Sequence, residues 1–467
     1  MGTLVALPLW LVILALFLAA IAALERVLMP SARWFLRRRM ERLVAQVNTR
    51  LDRPIEPFKL MQRKDMIVRL SYDPKVMEAV VDHARETGVP GSVAFQEAQT
   101  YAREIVPGFS ALVYFGFATR AARWLSRALY RVRIGKVDAA LASIDRQATV
   151  IFVMNHRSNM DYVLVTWLVA NRSALSYAVG EWARIWPLSR LIRAMGAYFI
   201  RRGSRNTLYR RVLARYVQMA TDDGTTQAVF PEGGLSLTGR VGDAKMGLLS
   251  YIVAGFEPTG RDVVFVPTAI AYDRVLEDRV LVDAGVTGER KFRASPLAIV
   301  GFIGRMVWLK LRGRFTGFGT AAVAFGAPIS LREYLSREGA STEGLGATLM
   351  AEVAQSVPIL SVPLVAAALA EGAVLRTDLA GRVDRLIARL TGLGAVLKLP
   401  PAGAGAALDE GLRGLMVRGI VIDGPDGLMP GLGKERMLAF YAAPVLQRLE
   451  IGVETEPMVI PEIAGQA

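Results

Sequence analysis

The sequence contains no cysteine and only two histidines, His83 and His156, in 467 residues. Without cysteine the chain has no disulfides, no thiolate nucleophile and no cysteine-ligated metal site. Two histidines also exclude a multi-histidine metal centre. His83 lies between Asp82 and Arg85 in a polar helical stretch, where a solvated surface position is the plain interpretation. Any imidazole chemistry in this protein therefore depends on His156.

Nucleic-acid-binding patterns are missing as well: the chain has no helix-turn-helix, zinc-knuckle or aromatic ribonucleoprotein pattern, so we expect no nucleic-acid partner. The composition is nonetheless basic, with 57 Lys and Arg against 42 Asp and Glu and a net charge of +15. At the same time 52% of the residues are hydrophobic. A chain that is both basic and apolar favours a membrane surface with anionic lipids, or a phosphorylated substrate.

Charge is absent from residues 4–24, LVALPLWLVILALFLAAIAAL. At helical rise this run extends about 31 Å, which is enough to cross a bilayer. A cleaved signal peptide is the alternative, but the basic n-region is missing and the apolar run is longer than a usual h-region. The arginines that follow are Arg26, Arg33, Arg37, Arg38, Arg39 and Arg42. Their position predicts an anchor with the N-terminus outside and the body of the protein in the cytoplasm.

The predicted secondary-structure pattern of the remaining chain changes near residue 140. Residues 31–135 are predicted to be mostly helical and include a basic amphipathic stretch at 33–51 that suits a membrane surface. Beyond them, short apolar runs alternate with helical segments. The strand candidates are TVIFVM (149–154), LSYAVG (175–180), AYFIRR (197–202), QAVFPEGG (227–234) and VVFVPTAIAY (263–272). This alternation predicts an α/β layer with a largely parallel or mixed sheet.

Four regions are predicted along the chain. They are a transmembrane anchor at 1–30, a helical membrane-associated region at 31–135, an α/β domain at 136–335 and a helical C-terminal region at 336–467. The apolar stretch at 296–313 carries Arg305 and Lys310 and is short, so an interfacial or buried helix is expected there rather than a second span.

The stretch VMNHRSNMDYVLV (153–165) places His156 after a strand and five residues before Asp161. Strand–helix turns of α/β folds commonly bind ligands. A neutral imidazole at this position could take a proton from a hydroxyl, with the aspartate fixing its tautomer. The alternative is a helix-capping box formed by Ser158 and Asp161, and both interpretations can hold for the same aspartate.

Two later stretches bring charge after a strand. In GAYFIRRGS (196–204), Arg201 and Arg202 have the planar guanidinium groups that grip phosphate, although a basic surface is the alternative. The stretch VFPEGGLSLTGRVGDAKMGLL (229–249) contains one carboxylate, two glycines and two cations, namely Glu232, Gly233, Gly234, Arg240 and Lys245. Glycines allow backbone amides to approach a ligand, but their spacing here fits neither a P-loop nor a dinucleotide fingerprint, and a plain turn is the alternative.

Taken in order, NHRSNMD, GAYFIRR, FPEGG and VPTAIAYD resemble four sequence blocks of the glycerolipid acyltransferase family: His-x4-Asp, Gly-x-x-Phe-Ile-x-Arg, Pro-Glu-Gly and Val-Pro. Four ordered blocks are far more specific than any one of them. HRSNMDY with the paired IRR is most similar to the bacterial glycerol-3-phosphate 1-O-acyltransferase branch. Together with the patterns above, the predicted fold class is α/β, with a glycerolipid acyltransferase-like mixed sheet flanked by helices, helical N- and C-terminal regions and one N-terminal transmembrane helix.

The same resemblance implies a chemistry without a covalent acyl-enzyme and without metal or cofactor. A fatty acyl group would pass from acyl-CoA or acyl-carrier protein to the sn-1 hydroxyl of glycerol 3-phosphate, giving lysophosphatidate. His156 would deprotonate that hydroxyl, and Asp161 would orient the imidazole. The anchor and the arginines after it place the expected location at the cell inner membrane, with the N-terminus outside, the catalytic body on the cytoplasmic face and anionic lipids as partners.

Substrate contacts are implied residue by residue from the matched blocks. The set is Arg157, Ser158, Arg201, Arg202, Glu232, Gly233, Gly234, Arg240, Lys245 and Pro267. Pro267 follows a strand run, where proline is tolerated at strand ends and edges, and could shape the wall of an acyl-chain site; plain structure is the alternative.

One departure concerns the two positions after Glu-Gly-Gly at which this branch often carries arginines. Here they are Leu235 and Leu237. Two phosphate contacts are therefore missing, and lysophosphatidate or dihydroxyacetone phosphate stays open as acceptor. A catalytically silent membrane-binding scaffold is the alternative from another class, against which the intact His156 and Asp161 weigh.

Overall fold

The computed structural model describes residues 63–135, 141–169, 173–180, 188–201, 203–288 and 317–455, together with 8–10, 12–14, 16, 17, 42, 49, 308 and 312. The predicted anchor at 4–24 and the amphipathic stretch at 33–51 lie largely outside these residues, as does the apolar stretch at 296–313. Among the described residues, no helix combines the length and the apolar character needed to span a bilayer.

In the described residues, the centre of the fold is a mixed sheet of eight strands. Its strands are β1 (Arg131–Ile134), β2 (Thr149–Met154), β3 (Ser176–Val179), β4 (Ala197–Phe199), β5 (Gln227–Val229), β6 (Val263–Tyr272), β7 (Thr320–Phe325) and β8 (Ile329–Ser330). They lie in the order β1-β7-β6-β2-β5-β3-β4, and β8 pairs with β6. Strands β6, β2, β5, β3 and β4 run parallel to one another, whereas β7 and β8 run antiparallel to β6, and β1 is parallel to β7. The prediction of an α/β fold with a mixed sheet is confirmed.

Strand β2 shows why the sheet is buried on both faces. All six residues are apolar or β-branched and all are buried. Val150, Phe152 and Met154 join one hydrophobic cluster, whereas Ile151 and Val153 join the other. Because side chains of a strand point alternately to opposite faces, a continuous apolar run is the pattern of a strand covered on both sides.

Helices cover both faces of this sheet. They are α1 (Arg63–Ser71), α2 (Pro74–Thr87), α3 (Gly91–Ile105), a π-helix (Leu112–Ala118), α4 (Thr119–Leu129), α5 (Met160–Val169), α6 (Leu188–Ala194), α7 (Thr207–Asp222), α8 (Gly247–Gly255), α9 (Asp278–Thr287), α10 (Leu331–Leu335), α11 (Thr342–Gln355), α12 (Ser361–Ala370), α13 (Arg376–Gly392), α14 (Ala404–Met416) and α15 (Glu435–Thr455). Helices α1–α3, α7, α8 and α11 contribute to the cluster on one face, and α5, α9 and α12–α15 to the other. A hairpin of β9 (Val421–Gly424) and β10 (Gly427–Pro430) lies between α14 and α15.

Helix α2 has the limits that its sequence predicts. It starts at Pro74, whose fixed φ suits the first turn, and the Asp73 side chain accepts a hydrogen bond from the Lys75 amide at 3.0 Å. It ends at Thr87, and Gly88 follows in the left-handed conformation with φ of 71°.

The position of Pro267 differs from the prediction. It lies inside the ten-residue strand β6 and not at a strand end. On one side β6 pairs with β8 only as far as Phe265, and its pairing with β7 begins at Thr268. Proline cannot donate to a ladder, and it occupies the gap where β6 changes partners, which is why a central strand tolerates it. Its own carbonyl still accepts a hydrogen bond from the Gly326 amide at 2.8 Å.

The C-terminal helices share the core of the sheet. Helix α12 is buried along most of its length, and its residues belong to the same hydrophobic cluster as Phe152 of β2. The buried Asp273 carboxylate, just after β6, accepts hydrogen bonds from the Thr320 amide at 2.7 Å and the Val362 amide at 3.0 Å. The region after residue 336 therefore packs as a continuation of the α/β layer. The four predicted region limits stay a prediction.

Candidate active site

The turn after β2 carries His156 at the edge where the parallel strands end. Asn155 joins this turn to β6, because its Nδ2 donates to the Ile270 carbonyl at 3.0 Å and the Ile270 amide donates to its Oδ1 at 2.8 Å. The side chain thus continues the β2–β6 pairing beyond Met154. The sheet therefore positions the backbone of His156.

His156 and Asp161 form a buried pair. Nδ1 of the imidazole lies 3.0 Å from Asp161 Oδ2, and the histidine is only 2% exposed. The same Oδ2 accepts hydrogen bonds from the backbone amides of Arg157, at 2.7 Å, and Ser158, at 3.0 Å. Tyr272 donates its hydroxyl to Oδ1 at 2.7 Å. Because an ionised carboxylate only accepts, Nδ1 carries the proton and Nε2 is the nitrogen that can act as a base.

Asp161 also caps helix α5. The Ser158 amide donates to the aspartate, and the Met160 amide donates to the Ser158 hydroxyl at 3.1 Å. These are the contacts of a capping box with Asp in place of Glu. The two interpretations of this stretch thus coexist in the geometry, because one carboxylate caps the helix and contacts the imidazole.

Aromatic rings fix the plane of the imidazole. The ring of Phe230 lies 4.3 Å from that of His156 at an interplanar angle of 34°, and the ring of Tyr162 meets it edge-on at 5.4 Å. Phe230 directly follows β5, and Tyr162 lies in the first turn of α5. The imidazole is therefore held between two neighbouring elements at the same edge of the sheet.

A second buried carboxylate lies beneath the histidine. Glu232 Oε1 accepts a hydrogen bond from the His156 amide at 2.9 Å. Burial raises the pKa of the Glu232 carboxyl to about 7, although hydrogen bonds from the His156 and Gly242 backbones oppose the shift. Gly233 follows with φ of 66°, a left-handed turn that glycine adopts without strain. Gly234 is buried in the same turn.

A third carboxylate, Glu277, holds the other side of the turn. Its Oε2 accepts from the Ser158 hydroxyl at 2.7 Å, and its Oε1 accepts from the amide and the Nδ2 of Asn159 at 3.2 and 3.1 Å. Burial raises the pKa of this carboxyl too. Ser158, a predicted substrate contact, is thus occupied by neighbouring protein groups.

Arg157 links the histidine turn to the C-terminal helix α15. Its guanidinium group is buried, donates to the Gly239 carbonyl and lies 4.8 Å from the centre of the Phe440 ring. Burial lowers the pKa of this arginine. These contacts hold the Arg157 side chain between the histidine turn and helix α15, and its substrate contact stays a prediction.

One of the two predicted phosphate arginines, Arg201, is held by neighbouring protein groups. Arg201 forms a two-point ion pair with Glu104, at 2.8 Å for Nε–Oε1 and 2.6 Å for Nη2–Oε2, and its guanidinium lies over the rings of Tyr101 and Tyr209. Arg202 lies outside the described residues. The structure therefore gives Arg201 a protein partner, and the role of Arg202 stays a prediction.

The two cations after the glycines have different surroundings. Arg240 pairs with Glu450 of helix α15. Lys245 folds over the Glu232 turn: its amide donates to the Pro231 carbonyl at 2.8 Å, and a Cβ on Gly233 would lie 3.5 Å from its Nζ. Of these two cations, Lys245 is the one that lies against the turn beneath His156.

Leu235 and Leu237 fill space at the positions where the resemblance leads one to expect arginines. Leu235 is 8% exposed and belongs to the hydrophobic cluster, and Leu237 packs against that cluster. Gly285 of α9 lies beside Leu237. The chain therefore presents apolar groups at both positions.

Sequence reasoning missed Tyr272 and Glu277. Tyr272 ends the quoted stretch VPTAIAY, so its place at the carboxyl end of a strand beside β2 was a usable signal. Glu277 lies in a loop with no motif around it, and only the tertiary contact with Ser158 identifies it.

Comparison with known proteins agrees with this geometry. Residues 138–271 match the family model described as Acyltransferase, and residues 307–441 match the one described as Glycerol-3-phosphate acyltransferase C-terminal region. The first match contains His156, Asp161 and Glu232, and the second contains helices α12–α14.

Relatives with this name align along most of the chain. A glycerol-3-phosphate acyltransferase of Ectopseudomonas mendocina (strain ymp) is 30% identical over 386 residues, which is 76% of this chain and 45% of that protein. One of Pseudomonas putida (strain GB-1) is 28% identical over 429 residues, 83% of this chain and 50% of that protein. The chain thus spans about half the length of these curated relatives.

Among solved structures, the 1-acyl-sn-glycerophosphate (LPA) acyltransferase PlsC from Thermotoga maritima is 19% identical, with a TM-score of 0.32, covering 62% of this chain and 96% of that chain. That likeness is too low to assign a fold. The two family models and the named relatives all indicate an acyltransferase. The chain belongs to the glycerolipid acyltransferase family, in the branch whose named members are glycerol-3-phosphate acyltransferases.

Proposed function

We propose that this chain transfers a fatty acyl group from acyl-CoA or acyl-carrier protein to the sn-1 hydroxyl of glycerol 3-phosphate, forming lysophosphatidate for phospholipid synthesis. The observation that carries the proposal is the buried His156–Asp161 pair with Nδ1 held at 3.0 Å and Nε2 left as the base. The names of the relatives support this acceptor.

The reaction needs one base and no covalent intermediate on the enzyme. Nε2 of His156 takes the proton of the acceptor hydroxyl while its oxygen attacks the thioester carbonyl. A carbon–oxygen bond forms and the carbon–sulfur bond breaks. The thiolate leaves readily, because a thiol has a pKa near ~8.5, and it receives the proton from the imidazolium. Asp161, oriented by Tyr272 and the two turn amides, stabilises the imidazolium while it exists.

Binding of the acceptor phosphate is proposed for Lys245 and Arg202. Lys245 lies against the Glu232 turn, and Arg202 occupies the arginine position of the matched block. Leu235 and Leu237 pack into apolar surroundings at the two positions where the branch often carries phosphate-binding arginines. The identity of the acceptor is therefore the part of the proposal that most needs a test. Lysophosphatidate and dihydroxyacetone phosphate are the competing acceptors.

The base is tested by His156→Ala in the purified full chain with acyl-CoA and glycerol 3-phosphate. Loss of a general base predicts a fall in kcat of about a hundredfold to ten-thousandfold. The matched control is His83→Ala, which removes the other histidine from helix α2, where it pairs with Glu97. If His156→Ala keeps most of the wild-type rate, the assigned base is wrong.

The acceptor is tested by offering the wild-type chain glycerol 3-phosphate, lysophosphatidate and dihydroxyacetone phosphate, each with acyl-CoA and with acyl-carrier protein. Mass spectrometry of the products identifies the acceptor and the donor. Acylation of glycerol 3-phosphate supports the proposal, and acylation of another acceptor alone replaces it. Transfer to none of them would favour the silent scaffold, and transfer to any of them excludes it.

The location proposed is the cell inner membrane, with residues 4–24 as the anchor, the N-terminus outside and the catalytic body at the cytoplasmic face. The support is the uncharged run followed by arginines. Protease treatment of spheroplasts and of inverted vesicles tests this, since the body should be cleaved only in the inverted vesicles.

A further inference from the structure

The outer side of helix α4, together with residues 113–118 before it, carries two kinds of exposed side chain, aromatic rings and arginines. From residue 113 to 129, the exposed side chains are Phe117, Arg120, Arg123, Trp124 and Arg127. Phe117 is 61% exposed and Trp124 is 65% exposed. Large aromatic rings this exposed on one element point to a partner that covers them. These five residues are called the α4 surface.

Helical spacing puts these five residues on one face. Phe117 and Trp124 are seven residues apart, which is about two turns, so their rings lie one above the other. Arg120 and Arg127 are also seven apart and form a row beside the rings, with Arg123 at its outer edge. The opposite side of α4 carries Ala122, Ser126 and Leu129, which are buried.

The charge of this region has one sign. Residues 105–137 contain no aspartate or glutamate. In the part of the chain that the structure describes, no carboxylate lies within 4.0 Å of the guanidinium groups of Arg120, Arg123 or Arg127. Arg127 instead lies over the ring of Trp167, 5.4 Å from its centre. The partner of this surface must therefore be anionic as well as apolar.

A bilayer of anionic lipids meets both requirements. Helices that lie in the membrane interface combine arginines on one side with Trp and Phe on the other. Aromatic rings settle at the boundary between headgroups and acyl chains, and each arginine near an anionic surface contributes about 1 kcal/mol.

We propose that the α4 surface inserts Phe117 and Trp124 into the headgroup–acyl boundary of an anionic membrane. Arg120, Arg123 and Arg127 contact the lipid phosphates. Helix α4 packs on α5, whose first turn holds Asp161, so the membrane lies one helix away from the His–Asp pair. This deepens the membrane location proposed above and assigns it a surface distinct from the anchor; it does not depend on acyl transfer.

The test uses the absence of cysteine in the full chain. Phe117→Cys and Trp124→Cys are each labelled with a nitroxide and reconstituted in vesicles of phosphatidylcholine with phosphatidylglycerol. We expect collisions with oxygen to exceed those with a water-soluble nickel chelate severalfold at both sites. Val81→Cys is the control, because Val81 is 45% exposed on α2, which packs on the opposite face of the sheet. Its label should stay accessible to the chelate.

A second variant set separates lipid charge from anchoring. Replacing Arg120, Arg123 and Arg127 by Gln should move the labels toward water, while the wild-type anchor keeps the chain on the vesicle. Labels at 117 and 124 as accessible to the chelate as that at 81 would overturn the proposal. Labels at both sites that are shielded from oxygen as well as from the chelate would also overturn it, because a protein contact would then cover the surface. Label depth is read without substrates, so it stands apart from the outcome of the acylation assay.

Discussion

The Tyr272 hydroxyl donates a hydrogen bond of 2.7 Å to Asp161 Oδ1, the carboxylate oxygen that does not face His156. Tyr272 is the last residue of β6, and its partner lies 111 residues earlier, in the first turn of α5. The ring is fully buried beside Tyr130, at 5.2 Å between centres. The Asp161 carboxylate is thereby held in place by a residue of the sheet, Tyr272, as well as by the backbone amides of its own turn.

Tyr272→Phe should lower kcat for acyl transfer about tenfold, because a hydrogen bond to a charged group contributes roughly 1.5–3 kcal/mol. The KM for the acceptor should stay within about twofold, because this hydrogen bond orients the base without touching the substrate. Steady-state kinetics measures both parameters. Tyr130→Phe is the control, since its hydroxyl donates to the Arg274 carbonyl and not to the aspartate. Equal kcat in the two variants would contradict the positioning role.

Glu277→Ala should lower both stability and kcat, since it leaves the Ser158 hydroxyl and the Asn159 amide without their acceptor. An unpaired buried polar group costs about 1–3 kcal/mol, so the thermal midpoint should fall clearly. Glu277→Gln keeps one carbonyl acceptor and should recover part of the loss. Thermal unfolding and turnover of both variants test this, and a wild-type midpoint in Glu277→Ala would sink the idea.

Glu232 predicts a pH dependence of stability. Its native pKa of about 7 lies above its ordinary value of 4.5, so the folded chain binds an extra proton between these values. The contribution to stability is therefore complete below about pH 4.5, declines as the pH rises and is lost above pH 7, by ~3 kcal/mol in total. Glu232→Gln should flatten this decline.

The measurement is the unfolding midpoint of both forms from pH 5 to 9. The exposed Glu257 provides the control, because Glu257→Gln should keep the wild-type slope. A Glu232→Gln profile that parallels the wild type would show that another group titrates in this range.

Gly239→Ala should be strongly destabilising. Gly239 has φ of 88°, and an added Cβ would overlap the Phe440 carbonyl oxygen of helix α15. Backbone must move to relieve such an overlap, which would also shift the carbonyl that Arg157 contacts. We expect a lower thermal midpoint together with reduced turnover.

Gly88→Ala separates conformational strain from overlap. Gly88 also has a positive φ, of 71°, but nothing lies within 4 Å of its Cβ position. It should cost only about 1 kcal/mol and leave turnover unchanged. Similar losses at the two glycines would mean that the contact with α15 contributes nothing.

The sequence predicted the local parts of the site well. Strand β2 matched residue for residue, because its continuous apolar run is bounded by polar residues and needs no tertiary information. The spacing of five residues left the His156–Asp161 pair and a helix-capping box as alternatives, and the family resemblance favoured the pair, whose contact the structure shows. Contacts between distant segments leave no such local pattern.

Arg240 illustrates the limit. Its partner Glu450 lies 210 residues later, and no periodicity in the sequence links the two. The same holds for Arg201, whose paired Glu104 comes from helix α3. From the sequence, an arginine near a matched block is predicted to contact phosphate. In the structure, Arg201 and Arg240 each pair with a carboxylate from a distant segment of the chain.

Helix α15 has a consequence for protein engineering. The Gln447 side chain pairs with the backbone of Val241 as a neighbouring strand would: it donates to the Val241 carbonyl and accepts from the Val241 amide, both at 2.9 Å. The Phe440 ring contacts the Arg157 guanidinium beside His156. A fragment cut after residue 335 would expose the hydrophobic cluster that helices α12–α15 share with the sheet, and the loop at 236–241 would lose its contacts with α15. Chimeras between relatives should therefore exchange the 236–241 loop and helix α15 together, so that their contacts with each other are kept.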